Sequence, residues 1–444
     1  MSLRLSRRGA LRAGTAVALL PLAAPLSGCG LFNEDKKPIL VGHRENVLSV
    51  GAGLTVDPAD TTPISLPKPT AVAQWPQPGR IPSHLSVNAM QSSMTRRWVA
   101  RIGEGGVLSA QPMVAEDRVY SMDAAGVISA FSLHTGKLIW LTPTKPKKMR
   151  SSNLGGGLSV VDGVIYVVDG VAESLALDAE TGEIKWRVDV GTPGRSAPTI
   201  VAGRMVFGTI DDRLIALETA TGRQIWAFSA TQSETIVFGQ PAPAIVDDVA
   251  LAGFGSGDIA AVRMQTGEAV WTDTLGAGGG RNSIMDFSSI HGLPVIADGT
   301  AYAISLGRVL TSIDMRSGRR LWERTVSGKD NLIIAGDWLF VLSVEQQLAC
   351  LDKNDGHVRW VTVLPRFRRQ NVQKGAIVWT GPVLADGKLI CVSDYAKQAV
   401  ISVDAVTGAL GPVMKLKSPS RIAPIVAQGL LLLVTDDGKL TAYG

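Results

Sequence analysis

The sequence predicts an all-β fold, an eight-bladed β-propeller of four-stranded antiparallel blades. A Gly-x-x-x-Trp pattern occurs six times in the 444 residues, and the segments between the copies alternate apolar with polar residues and end in Gly-containing turns. A repeat of about 40–50 residues is typical of propeller blades, and residues 96–444 divide into eight units of roughly 43 residues. The six copies begin at Gly136, Gly182, Gly222, Gly267, Gly318 and Gly356.

The turn in each unit explains the recurring residues. In one complete copy, Ala176, Asp178, Thr181 and Gly182 precede Trp186. Gly tolerates the positive φ of a tight hairpin, and an Asp before it can accept hydrogen bonds from the N–H groups of the turn. The Trp offers a large apolar face to the neighbouring blade, and its indole N–H needs a carbonyl partner. We therefore expect the recurring acids to cap turns, not to act as general acids or bases: Asp178, Asp314, Asp352 and Asp404.

The last two units predict how the ring closes. The seventh keeps Asp404 and Gly408 but has Pro412 at the Trp position, and the eighth reaches the end of the sequence at Gly444 without a fourth strand. The segment Arg97-Trp98-Val99 supplies a Trp-bearing strand that fits this place. Pairing the two ends of the region closes the ring and removes its exposed edges.

Residues 1–28 have the form of a signal peptide. The leader is positively charged, and its apolar run from Ala13 to Ala24 is too short to span a bilayer as a helix. It ends in Leu26-Ser27-Gly28-Cys29, which resembles the lipobox of bacterial lipoproteins and implies that Cys29 carries the lipid. The pair Arg7-Arg8 also resembles a twin-arginine export signal, so the general secretory and twin-arginine routes both remain open.

Most of the net positive charge of the chain lies in this leader. The formal net charge of +5 falls to about +1 without residues 1–28, because they contain four arginines and no acid. The sequence therefore gives no support for a nucleic-acid-binding surface.

Residues 29–95 are predicted to form a Pro-rich tether. Proline fixes φ and removes a backbone donor, so eight prolines in this segment oppose a continuous helix or sheet. Whether the tether packs on the ring is left open by the sequence. The prolines are Pro38, Pro58, Pro63, Pro67, Pro69, Pro76, Pro78 and Pro82.

The copy that ends at Trp186 resembles the quinoprotein-like (PQQ) propeller repeat, A-x-D-x-x-T-G-x-x-x-W. Together with the lipobox and the segment 73–79, AQWPQPG, the repeats resemble the BamB family of outer-membrane β-barrel assembly lipoproteins in an alphaproteobacterial form. The resemblance covers nearly the whole chain. It implies a scaffold without cofactors that is lipid-anchored in the outer membrane and faces the periplasm. The outer membrane is favoured because Gly30 follows the lipid Cys, whereas the inner-membrane retention signal of enteric bacteria has an Asp there.

The same resemblance implies partners. They are the periplasmic POTRA domains of BamA, other subunits of the assembly machine, and unfolded outer-membrane proteins. Propeller topology places all connectors between successive blades on one face, and three of them are long: 227–240, 272–290 and 361–378. The position of the enterobacterial partner loop falls at residues 235–239, although this chain lacks its Arg, and near 289–291, where this chain lacks its acids.

Two groups of residues are the candidate partner contacts. Apolar residues in the first long connector and an aromatic between arginines in the third match the residue types that dominate interface hot spots. The candidates are Thr235, Ile236, Val237 and Phe238, and Arg366, Phe367 and Arg368.

The sequence leaves two other functions open. The first is a PQQ-binding oxidoreductase or periplasmic sensor, which shares the repeat. The resemblance to the quinone enzymes implies a quinone site with a disulfide of adjacent cysteines, whereas Cys350 and Cys391 are far apart in sequence. We expect these two cysteines to be buried thiols or, alternatively, to form a disulfide. The five histidines show no metal-ligand spacing, so neither a metal nor a catalytic residue is predicted. A binding module for peptidoglycan or another envelope protein is the third possibility.

Overall fold

The structure, a computed structural model, describes residues 52–56, 62–103, 110–145, 155–233, 241–276 and 288–444. Within these ranges the chain forms eight four-stranded antiparallel sheets and one small two-stranded hairpin, which confirms the predicted propeller. The predicted signal peptide and Cys29 lie outside the described residues.

The strands follow one another from the inside of each blade to the outside. Blades 1 to 4 consist of β2 (Met113–Ala115), β3 (Arg118–Met122), β4 (Val127–Ser132) and β5 (Leu138–Pro143); β6 (Gly156–Val161), β7 (Val164–Asp169), β8 (Glu173–Asp178) and β9 (Ile184–Asp189); β10 (Thr199–Val201), β11 (Arg204–Gly208), β12 (Arg213–Glu218) and β13 (Gln224–Ser229); and β14 (Ala244–Val246), β15 (Val249–Gly253), β16 (Asp258–Arg263) and β17 (Ala269–Thr274).

Blades 5 to 8 complete the ring. They consist of β18 (Val295–Ala297), β19 (Thr300–Ile304), β20 (Leu310–Asp314) and β21 (Arg320–Arg324); β22 (Ile333–Ala335), β23 (Trp338–Leu342), β24 (Gln347–Asp352) and β25 (Val358–Val363); β28 (Trp379–Ala385), β29 (Lys388–Ser393), β30 (Val400–Asp404) and β31 (Leu410–Met414); and β32 (Ile425–Ala427), β33 (Leu430–Thr435), β34 (Lys439–Tyr443) and β1 (Arg96–Arg101). The small hairpin is β26 (Phe367–Arg369) and β27 (Lys374–Ala376), and the short 3-10 turns are Ala52–Leu54, Gln370–Val372 and Ala396–Gln398.

The ring closes as predicted from the two ends of the repeat region. Strand β1 pairs antiparallel with β34, with Trp98 opposite Ala442. The N–H of Gly444 donates to the carbonyl of Thr95 at 2.9 Å, which extends the same ladder by one bond. An N-terminal strand thus fills the place of the missing fourth strand of blade 8.

The small residue in each repeat has a packing reason. Ala176 on β8 lies opposite Tyr166 on one side and Trp186 on the other. The two aromatic rings meet across it with their centroids 6.4 Å apart, a distance typical of favourable ring pairs. Cys350 holds the same position between Phe340 and Trp360, whose centroids are 6.1 Å apart. A larger side chain here would separate the rings.

Each Trp joins its blade to the turn of the next one. The Trp140 indole N–H donates to the carbonyl of Ala179 at 3.3 Å, and its ring covers Gly182, whose φ is +77°. The predicted carbonyl partner of the indole is therefore confirmed. The other donor and acceptor pairs are Trp98 with Leu133, Trp186 with Thr219, Trp226 with Met264, Trp271 with Met315, Trp322 with Lys353 and Trp360 with Ala405.

The recurring acids cap turns, as predicted. The Asp178 carboxylate accepts hydrogen bonds from the backbone N–H groups of Glu180 and Thr181, both at 3.0 Å. These bonds, with that of Thr181 foremost, and the neighbouring Lys185 lower the pKa of Asp178 to about 2. The carboxylate therefore stays charged and bound to its own turn at neutral pH.

We expect Gly182→Ala to lower the free energy of unfolding by about 2–4 kcal/mol, because it combines backbone strain with a clash. An added Cβ would lie 2.5 Å from Trp140 Cε3. Gly163 is a matched control, since its φ is +72° and an added Cβ would meet nothing within 4 Å. Gly163→Ala should lower the free energy of unfolding by about 1–2 kcal/mol, because it introduces the backbone strain without the clash. Equal losses for the two variants in urea unfolding would contradict the role of the Trp contact.

The described part of the tether crosses the centre of the ring. Trp75 and Val114 exchange two backbone hydrogen bonds of 2.8 Å, and the N–H of Val160 donates to the carbonyl of Pro76 at 2.7 Å. The N–H of Ile200 donates to the side-chain carbonyl of Gln77 at 3.0 Å. We call residues 70–91 the channel plug.

The plug contacts the inner strands of most blades. The N–H groups of Ile245, Ile296 and Gln428 donate to the carbonyls of Pro82, Ser83 and Val72, and the N–H of Ala89 donates to the carbonyl of Leu384. In the described ranges the plug thus bonds blades 1 to 5, 7 and 8. The innermost strand of a blade is a sheet edge with unpaired backbone groups, so the plug satisfies groups that the ring by itself leaves open to the channel.

Candidate partner-binding face

The connectors between successive blades lie on one face, together with the hairpins that join the second and third strands. Five connectors are each fixed to the hairpin of their own blade by a backbone hydrogen bond, and we call this side the connector face. The bonded pairs are Thr144 with Gly126, Val190 with Ala172, Ala230 with Asp212, Leu275 with Gly257, and Leu364 with Gln346, at 2.8–3.0 Å.

One connector on this face folds into a hairpin of its own. Strands β26 and β27 pair with Phe367 opposite Ala376, and the N–H of Ile377 donates to the carbonyl of Arg366 at 2.8 Å. Gln373 adopts a left-handed conformation with φ +47° and closes the turn between the strands. The sequence-predicted residues Phe367 and Arg368 therefore lie on the first strand of this connector hairpin, and Arg366 directly precedes it.

The base of the connector hairpin is buried. Leu364 and Ile377 are each 1% exposed, and Trp379 is fully buried. The Trp379 indole N–H donates to the carbonyl of Pro365 at 2.8 Å, and its backbone N–H donates to the side-chain carbonyl of Gln346 at 2.7 Å. Because both ends of the hairpin are fixed in the core between blades 6 and 7, its orientation is set before any partner binds.

The exposed part of the hairpin is basic with an apolar component. Arg366 and Arg368 are exposed and Phe367 is half-buried. The Arg368 guanidinium lies 5.0 Å from the centre of the Tyr395 ring, a cation–π contact that holds its side chain against blade 7. At the turn, Val372 is 65% exposed. The hairpin thus presents charged and apolar groups on a preformed support.

Two carboxyl groups near this face have strongly raised pKa values, and both have structural partners. Asp169 accepts hydrogen bonds from the N–H groups of Val171 and Glu173, and burial raises its pKa to about 6. Asp330 is paired with Lys329 at 2.9 Å, and burial raises its pKa. Both groups hold their own loops together, and among the described residues no group of three or more His, Cys, Asp or Glu side chains is placed to bind a metal ion.

The two described cysteines are free, buried thiols. Cys350 lies on β24 and Cys391 on β29, and burial raises the pKa of both. The expectation of structural thiols is confirmed, and the alternative disulfide is not formed.

Other predicted site residues lie outside the described ranges. These are Cys29 and the first group of candidate contacts, Thr235, Ile236, Val237 and Phe238. Sequence reasoning missed two supports of the connector hairpin, Tyr395 and Trp379. The pattern Ile377-Val378-Trp379 gave an apolar signal, but it falls outside the Gly-x-x-x-Trp spacing. In the described part of the chain, no helix is long and apolar enough to cross a membrane.

The comparison with known families decides the relationship of the chain. The sequence profile of a family described as outer membrane protein assembly factor BamB matches residues 124–362, which is more than half of the chain. The chain belongs to the BamB family. Among similar proteins, the outer membrane protein assembly factor BamB of Yersinia pestis is 26% identical over 362 residues, which cover 80% of this chain and 89% of the relative.

Solved structures agree on the fold. BamB from Moraxella catarrhalis superposes with a TM-score of 0.68 at 21% identity and covers 79% of this chain and 99% of its own. The quinohemoprotein alcohol dehydrogenase from Comamonas testosteroni superposes with a TM-score of 0.64 at 12% identity, covering 83% and 80%. The propeller is therefore common to the BamB family and to a class of quinone enzymes, so the fold alone does not decide between them.

Proposed function

We propose that the chain is a non-catalytic scaffold for the assembly of outer-membrane proteins, and that its connector face docks the periplasmic POTRA domains of BamA. The observation that carries the proposal is the match to BamB over more than half of the chain. As a member of that assembly, the chain would contact other subunits and aid the insertion of unfolded outer-membrane proteins. The domain plan that accompanies this proposal is a signal peptide at 1–28, a tether at 29–95 and the propeller at 96–444.

Attachment to the membrane is part of the proposal. Cys29 would carry the lipid, and several acyl chains hold a folded domain at a membrane without a spanning helix. The outer membrane, with the propeller on its periplasmic side, is the location that this anchor and the family suggest.

The connector hairpin is suited to recognition of a protein partner. Arg and aromatic side chains dominate binding hot spots, and Phe367 lies between two arginines. A hairpin that is fixed at its buried base loses little conformational freedom on binding, which favours affinity. The connector 227–240 starts on the same face and contains the second group of proposed contacts, Thr235 to Phe238.

The cysteines support a scaffold over a quinone enzyme. The two described cysteines are separate buried thiols, whereas the resemblance to quinone enzymes implies a disulfide of adjacent cysteines at the quinone site.

The test is co-purification from native membranes with the full chain, tagged at its C-terminal end and cross-linked briefly before solubilisation. We expect BamA to be recovered with the wild-type chain. An Arg366→Glu/Arg368→Glu variant should reduce that recovery at least tenfold, because it reverses two exposed charges on the connector hairpin.

The matched control is Arg316→Glu/Arg319→Glu. These arginines are exposed on the turn between the third and fourth strands of blade 5, which lies on the opposite face of the ring. The control should recover BamA as the wild type does. Equal recovery with both double variants would place the docking surface elsewhere, and the absence of BamA at every cross-linker dose would overturn the scaffold proposal.

A further inference from the structure

The channel cavity lies between the plug and the inner strands of the ring, together with the residues just before those strands. The plug contributes Trp75, Arg80 and His84, and the ring contributes the polar side chains Gln111 and Asn331. The remaining lining is largely apolar, from residues such as Leu293, Leu332, Ile333, Pro382, Val383 and Leu384. Residues more than 250 positions apart in sequence thus enclose one small space at the ring axis.

Three polar atoms of the plug lack a protein partner there. They are the indole Nε1 of Trp75, the guanidinium Nε of Arg80 and the ring Nε2 of His84, all of them buried. Buried polar atoms are almost always hydrogen-bonded, so three orphans around one cavity point to an occupant. Two of them, Trp75 Nε1 and Arg80 Nε, are N–H donors.

The charge of the cavity is positive. None of its lining residues is acidic, and Arg80 forms none of the described ion pairs. Burial lowers the pKa of Arg80, and no neighbouring acid counteracts this effect. A half-buried guanidinium without a counter-charge attracts an anion.

His84 is neutral and adds one acceptor. Its side chain is 2% exposed, its Nδ1–H donates to the carbonyl of Pro294 at 2.8 Å, and burial lowers its pKa to about 4. The Nε2 atom of this neutral tautomer carries a lone pair, which can accept a hydrogen bond from a water molecule next to the anion.

The backbone of the plug is strained at the same residues. Arg80 has φ +77° and His84 has φ +59°, a region that non-glycine residues rarely adopt, and both belong to successive tight turns. Gly79 precedes them with φ +64°, and an added Cβ would lie 2.7 Å from His84 Cβ. Strain of this kind persists where the surroundings hold side chains in a required place, and here both strained residues line one cavity.

We propose that the channel cavity binds a small monovalent anion such as chloride, held by the Arg80 guanidinium and the Trp75 indole N–H, with a water molecule between the anion and His84. A single water molecule needs about 10–15 Å³, so a cavity of about 30 Å³ admits a halide ion and one water molecule. The anion would neutralise a cation that the fold leaves unpaired in the plug. This inference does not depend on the docking of BamA.

The first test is thermal unfolding of the full chain in sodium chloride and in sodium gluconate at equal ionic strength. Gluconate is too large for the cavity, so only chloride should raise the midpoint, by about 2 °C or more between 1 and 200 mM. Arg80→Gln should abolish this shift. Arg263→Gln, which removes an exposed arginine on blade 4, should keep it. A chloride shift of the same size in Arg80→Gln would overturn the proposal.

A second measurement covers the case in which Arg80→Gln does not fold. Crystals of the wild-type protein soaked in sodium bromide should show an anomalous peak within about 3.5 Å of Arg80 Nε and Trp75 Nε1, the contact distance of a halide with an N–H donor. A bromide-soaked crystal without a peak in the cavity would refute the site.

Discussion

Deletion of residues 62–93 is expected to lower the free energy of unfolding of the ring by at least about 5 kcal/mol. The plug supplies backbone partners to the inner strands of blades 1 to 5, 7 and 8, and a backbone hydrogen bond contributes about 0.5–1.5 kcal/mol. It also buries Val72 and Ala89 against blades 7 and 8. Guanidinium unfolding followed by circular dichroism measures the loss, and an unchanged midpoint would contradict a structural role for the plug.

A pair of substitutions tests the plug with less disturbance. Gln77→Ala should lower the free energy of unfolding by about 1–3 kcal/mol. Gln77 is 5% exposed, and its side-chain carbonyl is the acceptor for the N–H of Ile200. Gln74→Ala is the control, since Gln74 is exposed three residues earlier in the same segment. The control should unfold within about 0.5 kcal/mol of the wild type.

Trp379→Ala is expected to lower the free energy of unfolding by about 3–5 kcal/mol and to weaken the recovery of BamA. The first effect follows from the cavity left by a fully buried indole. The second follows because the same indole holds the carbonyl of Pro365 at the start of the connector hairpin. Chemical unfolding and cross-linked co-purification of the same variant measure the two effects.

Phe207→Ala separates these effects. Phe207 is fully buried in blade 3, away from the connector hairpin, so its loss should destabilise the ring to a similar extent. At a temperature where both variants remain folded, Phe207→Ala should recover BamA as the wild type does. Equal losses of BamA in the two variants would mean that stability alone accounts for the binding defect of Trp379→Ala.

The sequence contained enough information for the ring because its signals are local and repeated. Gly182 and Asp178 satisfy one hairpin turn, and Trp186 is separated from that turn by a fixed number of residues. In the described part of the chain, seven contacts between neighbouring blades repeat the same Trp and Gly pair, and blade 7 is the exception because Pro412 holds its Trp position. This repeated local geometry already specifies most of the packing. Closure by Trp98 followed from counting the strands.

The candidate site was predictable only as a set of residue types. Arg366, Phe367 and Arg368 were recognisable as interface residues, but the hairpin that presents them depends on Gln346 and Tyr395 from two other hairpins. No short-range pattern links these positions, because blade packing alone brings them together.

The sequence by itself determined the number of blades, their strand order and the strand that closes the ring. These features follow from the residues of the turns and from a repeat that packs neighbouring blades together in the same way. Only the tertiary structure decided where the Pro-rich segment goes. Prolines oppose a continuous helix or sheet, but they do not indicate what the segment contacts. The carbonyls of Pro76, Pro82 and Ser83 accept hydrogen bonds from inner-strand N–H groups, and these groups line a common channel only after the ring has closed. The cavity around Arg80 and His84 exists for the same reason, because the inner strands and the turns of the plug come together only in the folded ring.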